Sequence, residues 1–354
     1  MKILVTGATG FLGSHIVESL QKSGHEVRAL ARSTSNLAYL RKVGAEIVFG
    51  DVGDYDKLLA AASDVDVVIH AAAIVMPGWG KWEDYEKANV NGTKNALDAS
   101  TQAGVNRFVY ISSFTVIGDA CAAGHPVDET EPCTLACVPD TYYDYAKLLA
   151  EQMALDYHKQ GKVPVSVIRP GMIYGPRDRY IADRFHWLVN LPVSFFPGRG
   201  NPRAPLIYVS DVADCAVMAA TSDKAAGEIY HAVPNGDIRW RSFVSAMAKA
   251  AGKPDRRISI PVWLLYGSGV VMEWWGKLLR MKQPPLFTRA AARFFTEDMS
   301  IDGSKAKREL GWEPKVSMEE GCQLYVQWRR GQGNGSGNQQ IGSKLELAGE
   351  QEKV

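Results

Sequence analysis

Tyr143-Asp-Tyr-Ala-Lys147 places a phenol and an ammonium four residues apart, and on a helix the two share one face. A phenol with a pKa of about 10 is a poor base at neutral pH. A close lysine ammonium favours its phenolate. Such a pair could take the proton of an alcohol as a hydride leaves its carbon, or return that proton on reduction. Tyr142 and Tyr145 lie nearby, but only Tyr143 stands four residues before Lys147. Upstream, Arg107-Phe-Val-Tyr-Ile reads as a strand and ends in Ser112-Ser113, two hydroxyls at a carboxyl end. Open α/β sheets bind ligands at that end. Ser113 is the candidate to hydrogen-bond the reacting oxygen; Ser112 reads as packing or cofactor contact. A surface pair and a turn-capping serine are the plain alternatives, and the N-terminus decides between them.

There, Thr6-Gly7-Ala8-Thr9-Gly10-Phe11-Leu12-Gly13 follows the first strand and opens the first helix. Gly7 permits the tight turn, Gly10 lets backbone approach a pyrophosphate, and Gly13 allows close helix–sheet packing. The helix N-terminus, through Phe11 and Leu12, adds free N–H groups and a positive dipole end. A glycine turn without a ligand is the alternative, and the strand-turn-helix context weighs against it. The second strand ends Val27-Arg28-Ala29-Leu30-Ala31-Arg32-Ser33, with Ala31 where an NAD enzyme usually places a carboxylate. Arg32, with Arg28 near, suits a 2′-phosphate, so NADP(H) is expected over NAD(H). Asp51 and Val52, after the third strand, are candidates for the adenine; a turn or a helix cap, which Asp54 would serve equally, competes. Ala71, Ala72 and Ala73 follow the fourth strand with the small side chains that a backbone lying on a cofactor requires. His70 reads as a core histidine.

The elements that must position these residues come from the first half of the chain. Strands are expected at Ile3–Val5, Val27–Leu30, Ile47–Phe49, Val67–His70, Arg107–Ile111 and Val165–Ile168, with helices such as Gly13–Ser23 and Asn91–Ala103 between them. This alternation predicts an α/β fold with a doubly wound parallel sheet. After Arg169, prolines punctuate a loop-rich stretch with one helix, Ile181–Asn190. A strand-helix unit at Pro205–Ala220 and a strand at Glu228–Ala232 follow, and helices dominate from Asp237. The expected division is a cofactor-binding part, 1–171 with 204–235, and a smaller, mostly helical substrate part, 172–203 with 236–330. The polar tail, 331–354, is expected to be disordered.

The 354 residues are 46% hydrophobic and 22% charged, with a net charge of +1, so no overall field favours nucleic acid or an anionic membrane. Five scattered cysteines suggest reduced thiols, no metal site and a cytoplasmic enzyme. The first strand begins at once, which argues against a signal peptide. The tryptophan-rich stretch from Ile260 to Leu279 is interrupted by Gly267, Gly269, Glu273, Gly276 and Lys277. It reads as a lid or peripheral membrane contact over 262–279, not a span.

With these motifs the sequence resembles the extended short-chain dehydrogenase/reductases, within the NAD-dependent epimerase/dehydratase superfamily. The likeness runs from residue 1 to about 330. It rests on the glycine loop, Asn89-Val-Asn-Gly-Thr93, Ser112-Ser113, Tyr143–Lys147 and Arg169-Pro-Gly-Met-Ile-Tyr-Gly-Pro176. The resemblance implies a Rossmann fold and a catalytic set of Ser113, Tyr143 and Lys147, with Asn89 holding a water in the proton relay. It further implies that Lys147 bonds the nicotinamide ribose, that Pro170, Gly171 and Ile173 line the nicotinamide pocket, and that the protein is a homodimer. Ile117 stands where sugar-modifying members often carry tyrosine, and Ala31 where NAD-binding members carry an acid.

For the substrate, Arg177, Arg179, Arg184, Arg199, Arg203 and Arg239 could hold a diphosphate. Phe185, Trp187, Leu188, Phe195, Phe196, Trp263, Leu264, Trp274 and Trp275 favour a hydrophobic ligand or fill a core. The region from Gln283 to Pro314 is similar to the 3β-hydroxysteroid and sterol-4-carboxylate dehydrogenases; its Ser304–Pro314 part is shared with sugar epimerases and dihydroflavonol reductases. Hydride transfer to or from a steroid-like or long-chain alcohol or ketone leads. A nucleotide-sugar epimerase or dehydratase comes second, and a non-catalytic NADP sensor third.

Overall fold

Strands that end in glycine turns and are followed by helices cannot pair as hairpins, so each helix must carry the chain back across the sheet. The computed structural model describes residues 1–333 except 76–78, 123, 192–193, 199, 256, 280, 282–284 and 286–287. In chain order the first half runs β1 (Lys2–Thr6), α1 (Phe11–Lys22), β2 (Glu26–Ala31), α2 (Ala38–Lys42), β3 (Glu46–Phe49), α3 (Tyr55–Ala62), β4 (Val67–His70), α4 (Trp82–Tyr85), α5 (Gly92–Gln102), β5 (Arg107–Ile111), α6 (Tyr142–Lys159) and β6 (Val165–Pro170). The second runs β7 (Met172–Tyr174), α7 (Ile181–Val189), β8 (Ser194–Pro197), β9 (Leu206–Tyr208), α8 (Val209–Thr221), β10 (Ile229–Ala232), α9 (Trp240–Ala251), β11 (Arg257–Ile260), α10 (Val262–Leu278), α11 (Arg289–Thr296), α12 (Ser304–Leu310) and α13 (Met318–Gly333).

Seven strands form one parallel sheet in the order β10-β6-β5-β4-β1-β2-β3. The order reverses between β1 and β4, and ligands of such sheets bind at that crevice. Each expected strand is present within a residue or two; all but the edge strand β3 are short, mostly apolar runs buried on both faces. Leu20, Ile16, Val5 and Ala213 pack one face beneath α1 and α8; Leu4, Leu58, Leu97 and Phe108 pack the other beneath α3 and α5. A further cluster gathers Met172, Phe185, Trp240, Phe243 and Tyr325 from the second half.

The second half departs from expectation in its small sheets. β7 pairs with β9, and β8 pairs with β11, a strand in a region read as helical. Strands of three or four residues carry too little periodicity to announce pairing across dozens of residues. The expected tail begins too early, since Gly331–Gly333 close α13; 334–354 lie outside the described residues.

Candidate active site

The glycine loop has the backbone that its sequence requires. Gly7 has φ +69°, and a Cβ there would lie 2.7 Å from the Ala71 carbonyl and the Ala72 nitrogen. A Cβ on Gly13 would fall 2.1 Å from the Gly7 oxygen, so only glycine lets α1 begin this close to β1. The Gly10 N–H closes the turn on Gly7 O at 2.8 Å. Gly10 then caps α1 with no side-chain bond, which leaves the first helical N–H groups, at Phe11 and Leu12, for an anion. Ala71 and Ala72 are half-buried and Ala73 is exposed, so small side chains follow β4 beside the loop. These features fit a dinucleotide.

At the ends of β2 and β3 the charged residues divide. Arg28 is buried, donating to Glu46 at 2.9 Å and to the carbonyls of Ala61 and Ser63 at 2.9 and 2.6 Å. It ties β2 to β3 and α3 and does not serve a ligand, contrary to expectation. Arg32 is exposed, and among the described residues no ion pair or side-chain hydrogen bond engages it. Asp54, not Asp51, caps α3 through the Lys57 N–H. Asp51 turns the chain by accepting from Gly53 N at 2.8 Å, and Val52 packs against Gly92, where a Cβ would lie 2.8 Å away. His70 sits in the core as read: its ring bonds Thr6 and Thr93, and burial drives its pKa down to about 3.

The carboxyl ends of β4 and β5 meet the start of α6. The hydroxyl of Ser113 lies close enough to the Tyr143 phenol to pull its pKa down. Ser113 Oγ also lies 2.8 Å from Thr115 Oγ1. Lys147, one turn on, is buried; its Nζ donates to Ile111 O and stands 4.2 Å from the centre of the Tyr110 ring. Burial takes its pKa down to about 7, with Glu151 acting the other way. Burial, reinforced by Asp144, pushes the Tyr143 phenol up, and the nearby Ser113 hydroxyl opposes this only in part. The lysine therefore serves the Ile111 carbonyl here, and the phenol is held as an acid.

Asn89 is buried. It lies in a π-helical stretch, Glu86–Asn91, a local widening common at functional sites. Its Oδ1 accepts from Ile74 N at 2.8 Å and its Nδ2 donates to Ile74 O at 3.1 Å. Both ends of the amide thus fix the strand exit beyond Ala73. Gly171, after β6, donates to Ala232 O at 3.1 Å, and a Cβ there would fall 2.1 Å from Pro205 O. Pro170 ends β6 and the half-buried Ile173 lies in β7, at the same end of the sheet.

One group went unnoticed in the sequence. Ser112 Oγ donates to Glu151 Oε2 at 2.5 Å, and the Glu151 carboxylate, 2% exposed, pairs with Arg169, 3% exposed, at 2.6 Å. Arg169 also donates to Cys133 Sγ at 3.3 Å. The signal was present: a glutamate four residues past Lys147, on the buried face of α6, and an arginine inside an apolar strand.

The arginines offered for a diphosphate are largely committed elsewhere. Arg177 reaches Glu18 at 3.1 Å and stacks on Tyr39; Arg203 pairs with Asp298 and Arg239 with Asp237, each at 2.7 Å. Arg179 is exposed and Arg184 half-buried; Arg199 and the side chains of Phe195 and Phe196 lie outside the described residues. Phe185 is core, stacked on Trp240 at 5.3 Å. Ile117 is buried in the same cluster.

Comparison with known proteins adds a family to this geometry. Residues 3–232 match the model of the NAD dependent epimerase/dehydratase family. The chain is 31% identical to a 2-alkyl-3-oxoalkanoate reductase of Stenotrophomonas maltophilia, over 91% of this chain and 97% of that one. It is 31% identical to a 3 beta-hydroxysteroid dehydrogenase/Delta 5-->4-isomerase of Mycobacterium tuberculosis, over 90% and 88%. Among solved structures it resembles a UDP-glucuronic acid 4-epimerase of Bacillus cereus in complex with UDP-glucuronic acid and NAD, with a TM-score of 0.72, 25% identity and coverage of 94% and 100%. A parallel sheet that reverses at β1 and β4, a glycine cradle beneath it and a match over most of the chain agree: the chain belongs to the NAD-dependent epimerase/dehydratase family.

Proposed function

We propose that the protein is an NAD(P)-dependent oxidoreductase acting on a secondary alcohol or ketone of a hydrophobic, steroid-like or long-chain substrate. The observation that carries this reading is the Tyr143–Ser113 hydroxyl pair, one helical turn from a buried Lys147 and at the carboxyl end of the sheet. A bound nicotinamide supplies or accepts the hydride. Tyr143 gives the proton to the carbonyl oxygen or takes it from the alcohol, and Ser113 orients that oxygen. Lys147 holds the ribose, and Asn89 holds a water in the proton relay.

On this reading Gly7, Gly10, Phe11, Leu12 and Gly13 cradle the pyrophosphate, Asp51 and Val52 flank the adenine, and Ala71, Ala72, Ala73 and Ser112 border the cofactor. Pro170, Gly171 and Ile173 line the nicotinamide. The cofactor part spans 1–171 with 204–235, the substrate part 172–203 with 236–330. The enzyme is a cytoplasmic homodimer with a peripheral membrane contact at 262–279.

The hydrophobic substrate is favoured because Arg177, Arg203 and Arg239 already hold carboxylates. The names of the two relatives, a 3-oxoalkanoate reductase and a 3β-hydroxysteroid dehydrogenase, describe a carbonyl or alcohol on an apolar body. A nucleotide-sugar epimerase is the second reading, motivated by the solved epimerase. Absorbance at the nicotinamide band separates them. Net oxidation of the reduced cofactor with a long-chain 3-oxo acid or a steroid ketone is expected. Sugar conversion without net change would replace the reading with the epimerase, and binding without turnover with a sensor.

NADP(H) is preferred because Arg32 is exposed and uncommitted where Ala31 offers no carboxylate. Arg32→Ala should weaken NADPH roughly tenfold and leave NADH nearly unchanged. Parallel fluorescence titrations check it, and tighter binding of NADH by the unaltered protein would remove the preference.

A further inference from the structure

Helix α10 is apolar nearly all round, yet only one stripe of it is covered. Leu265, Gly269, Glu273 and Gly276 face inward and are buried. Trp263, Val270, Val271, Trp274, Trp275 and Leu278 fall on the opposite side at helical spacing, with the three tryptophans 71%, 60% and 51% exposed. Monomeric surfaces rarely carry so continuous an apolar strip without a use for it.

The inner stripe fixes the helix close to the candidate site. Glu273 accepts from Arg289 N at 2.6 Å and Nε at 3.0 Å, and Arg289 reaches Asp140, just before α6, at 3.6 Å. Gly276 lies over Trp79, where a Cβ would come within 2.9 Å of the indole. Tyr85 donates to Trp79 O at 2.6 Å and meets the Tyr143 ring edge-on. The covered face of α10 thus leads through Trp79 and Tyr85 to Tyr143.

Charge selects the occupant. Between Pro261 and Thr288 the sequence has one acid, Glu273, and it is turned inward and paired; the bases are Lys277, Arg280 and Lys282. Lys277 is exposed. Tryptophans beside an exposed lysine, in a stretch of sequence whose other charges are basic, suit the headgroup layer of an anionic bilayer. Two copies of this face would bring like charges together. Seventeen residues do not cross a bilayer, and among the described residues no helix is long and apolar enough to do so.

We propose that α10 docks flat on an anionic lipid surface through Trp263, Trp274 and Trp275, with the Tyr143 side of the molecule facing the source of an apolar substrate. The delivery role rests on the proposed catalytic function; the docking, which gives the membrane contact its face and its lipid, does not. Flotation of the full chain with phosphatidylcholine vesicles, with and without phosphatidylglycerol, tests it. The protein should float with the anionic vesicles, less so at high salt. Trp274→Ser/Trp275→Ser should weaken binding by about tenfold or more, with turnover of a short, soluble ketone unchanged. If that double variant fails to fold, Val270→Ser/Val271→Ser carries the same expectation. Absence of flotation, equal flotation by a folded variant, or a dimer that the substitutions split would each overturn the proposal. Tyr143→Phe should still float, so failure of the catalytic reading leaves the vesicle result standing.

Discussion

Replacing Tyr143 by phenylalanine is expected to lower kcat by about 10²–10⁴-fold and to leave cofactor affinity unchanged. The ring stays, so its edge-on contact with Tyr85 survives and α6 keeps its packing. The lost hydroxyl leaves no buried orphan behind, because Ser113 retains Thr115 Oγ1 at 2.8 Å. Stability should therefore change by less than about 1 kcal/mol. Only proton transfer loses its agent. Steady-state turnover and a cofactor titration on the same preparation check both halves. Full activity would remove Tyr143 from the mechanism, whereas loss of cofactor binding would make it a structural residue.

The structure also explains why that tyrosine is better suited to give a proton than to take one. Burial and Asp144 hold the phenol well above the usual tyrosine range, and Lys147 is turned to the Ile111 carbonyl. Ketone reduction needs an acid, and Tyr143 is protonated throughout the neutral range. Oxidation needs the ammonium of Lys147 brought to bear on the phenol, as the sequence alone had suggested.

What could be read from the sequence divides along physical lines. The glycine loop and the Tyr143–Lys147 spacing were legible because both are local: a turn, a helix start and a single helical turn. The seven-stranded sheet was legible because each strand is a short apolar run followed by its own helix. Arg28 was misread because proximity along the chain says nothing of direction; its side chain runs to Ala61 and Ser63. The contact of Asn89 with Ile74 went unread because it depends on a π-helical widening that leaves no mark in composition. The pairing of β8 with β11 joins segments about sixty residues apart, beyond any local pattern.

Loss of the Glu151 carboxylate should produce the largest change in stability. Glu151 and Arg169 are buried together at 2.6 Å, and the same carboxylate takes the Ser112 hydroxyl. Glu151→Ala leaves a guanidinium inside the protein with only Cys133 and His231 for partners among the described residues, a cost of about 3–5 kcal/mol. Urea unfolding monitored by tryptophan fluorescence checks it; a loss below about 1 kcal/mol would show that the pair contributes little. Glu151→Gln keeps an acceptor for Ser112 and removes the charge, which makes it the informative variant for chemistry. Glu151 is the group that raises Lys147 against the effect of burial, so without its charge the lysine falls below its value of about 7. Since the ammonium is the form that donates, the protonated fraction then disappears at lower pH. The descending limb of kcat/KM for ketone reduction, expected near pH 7 in the unaltered protein, should move toward acid in Glu151→Gln. A variant that merely loosened the fold would lose activity at every pH without moving that limb. Glu151 is thus a positioning residue that sets both the seat of Ser112–Ser113 and the charge of Lys147.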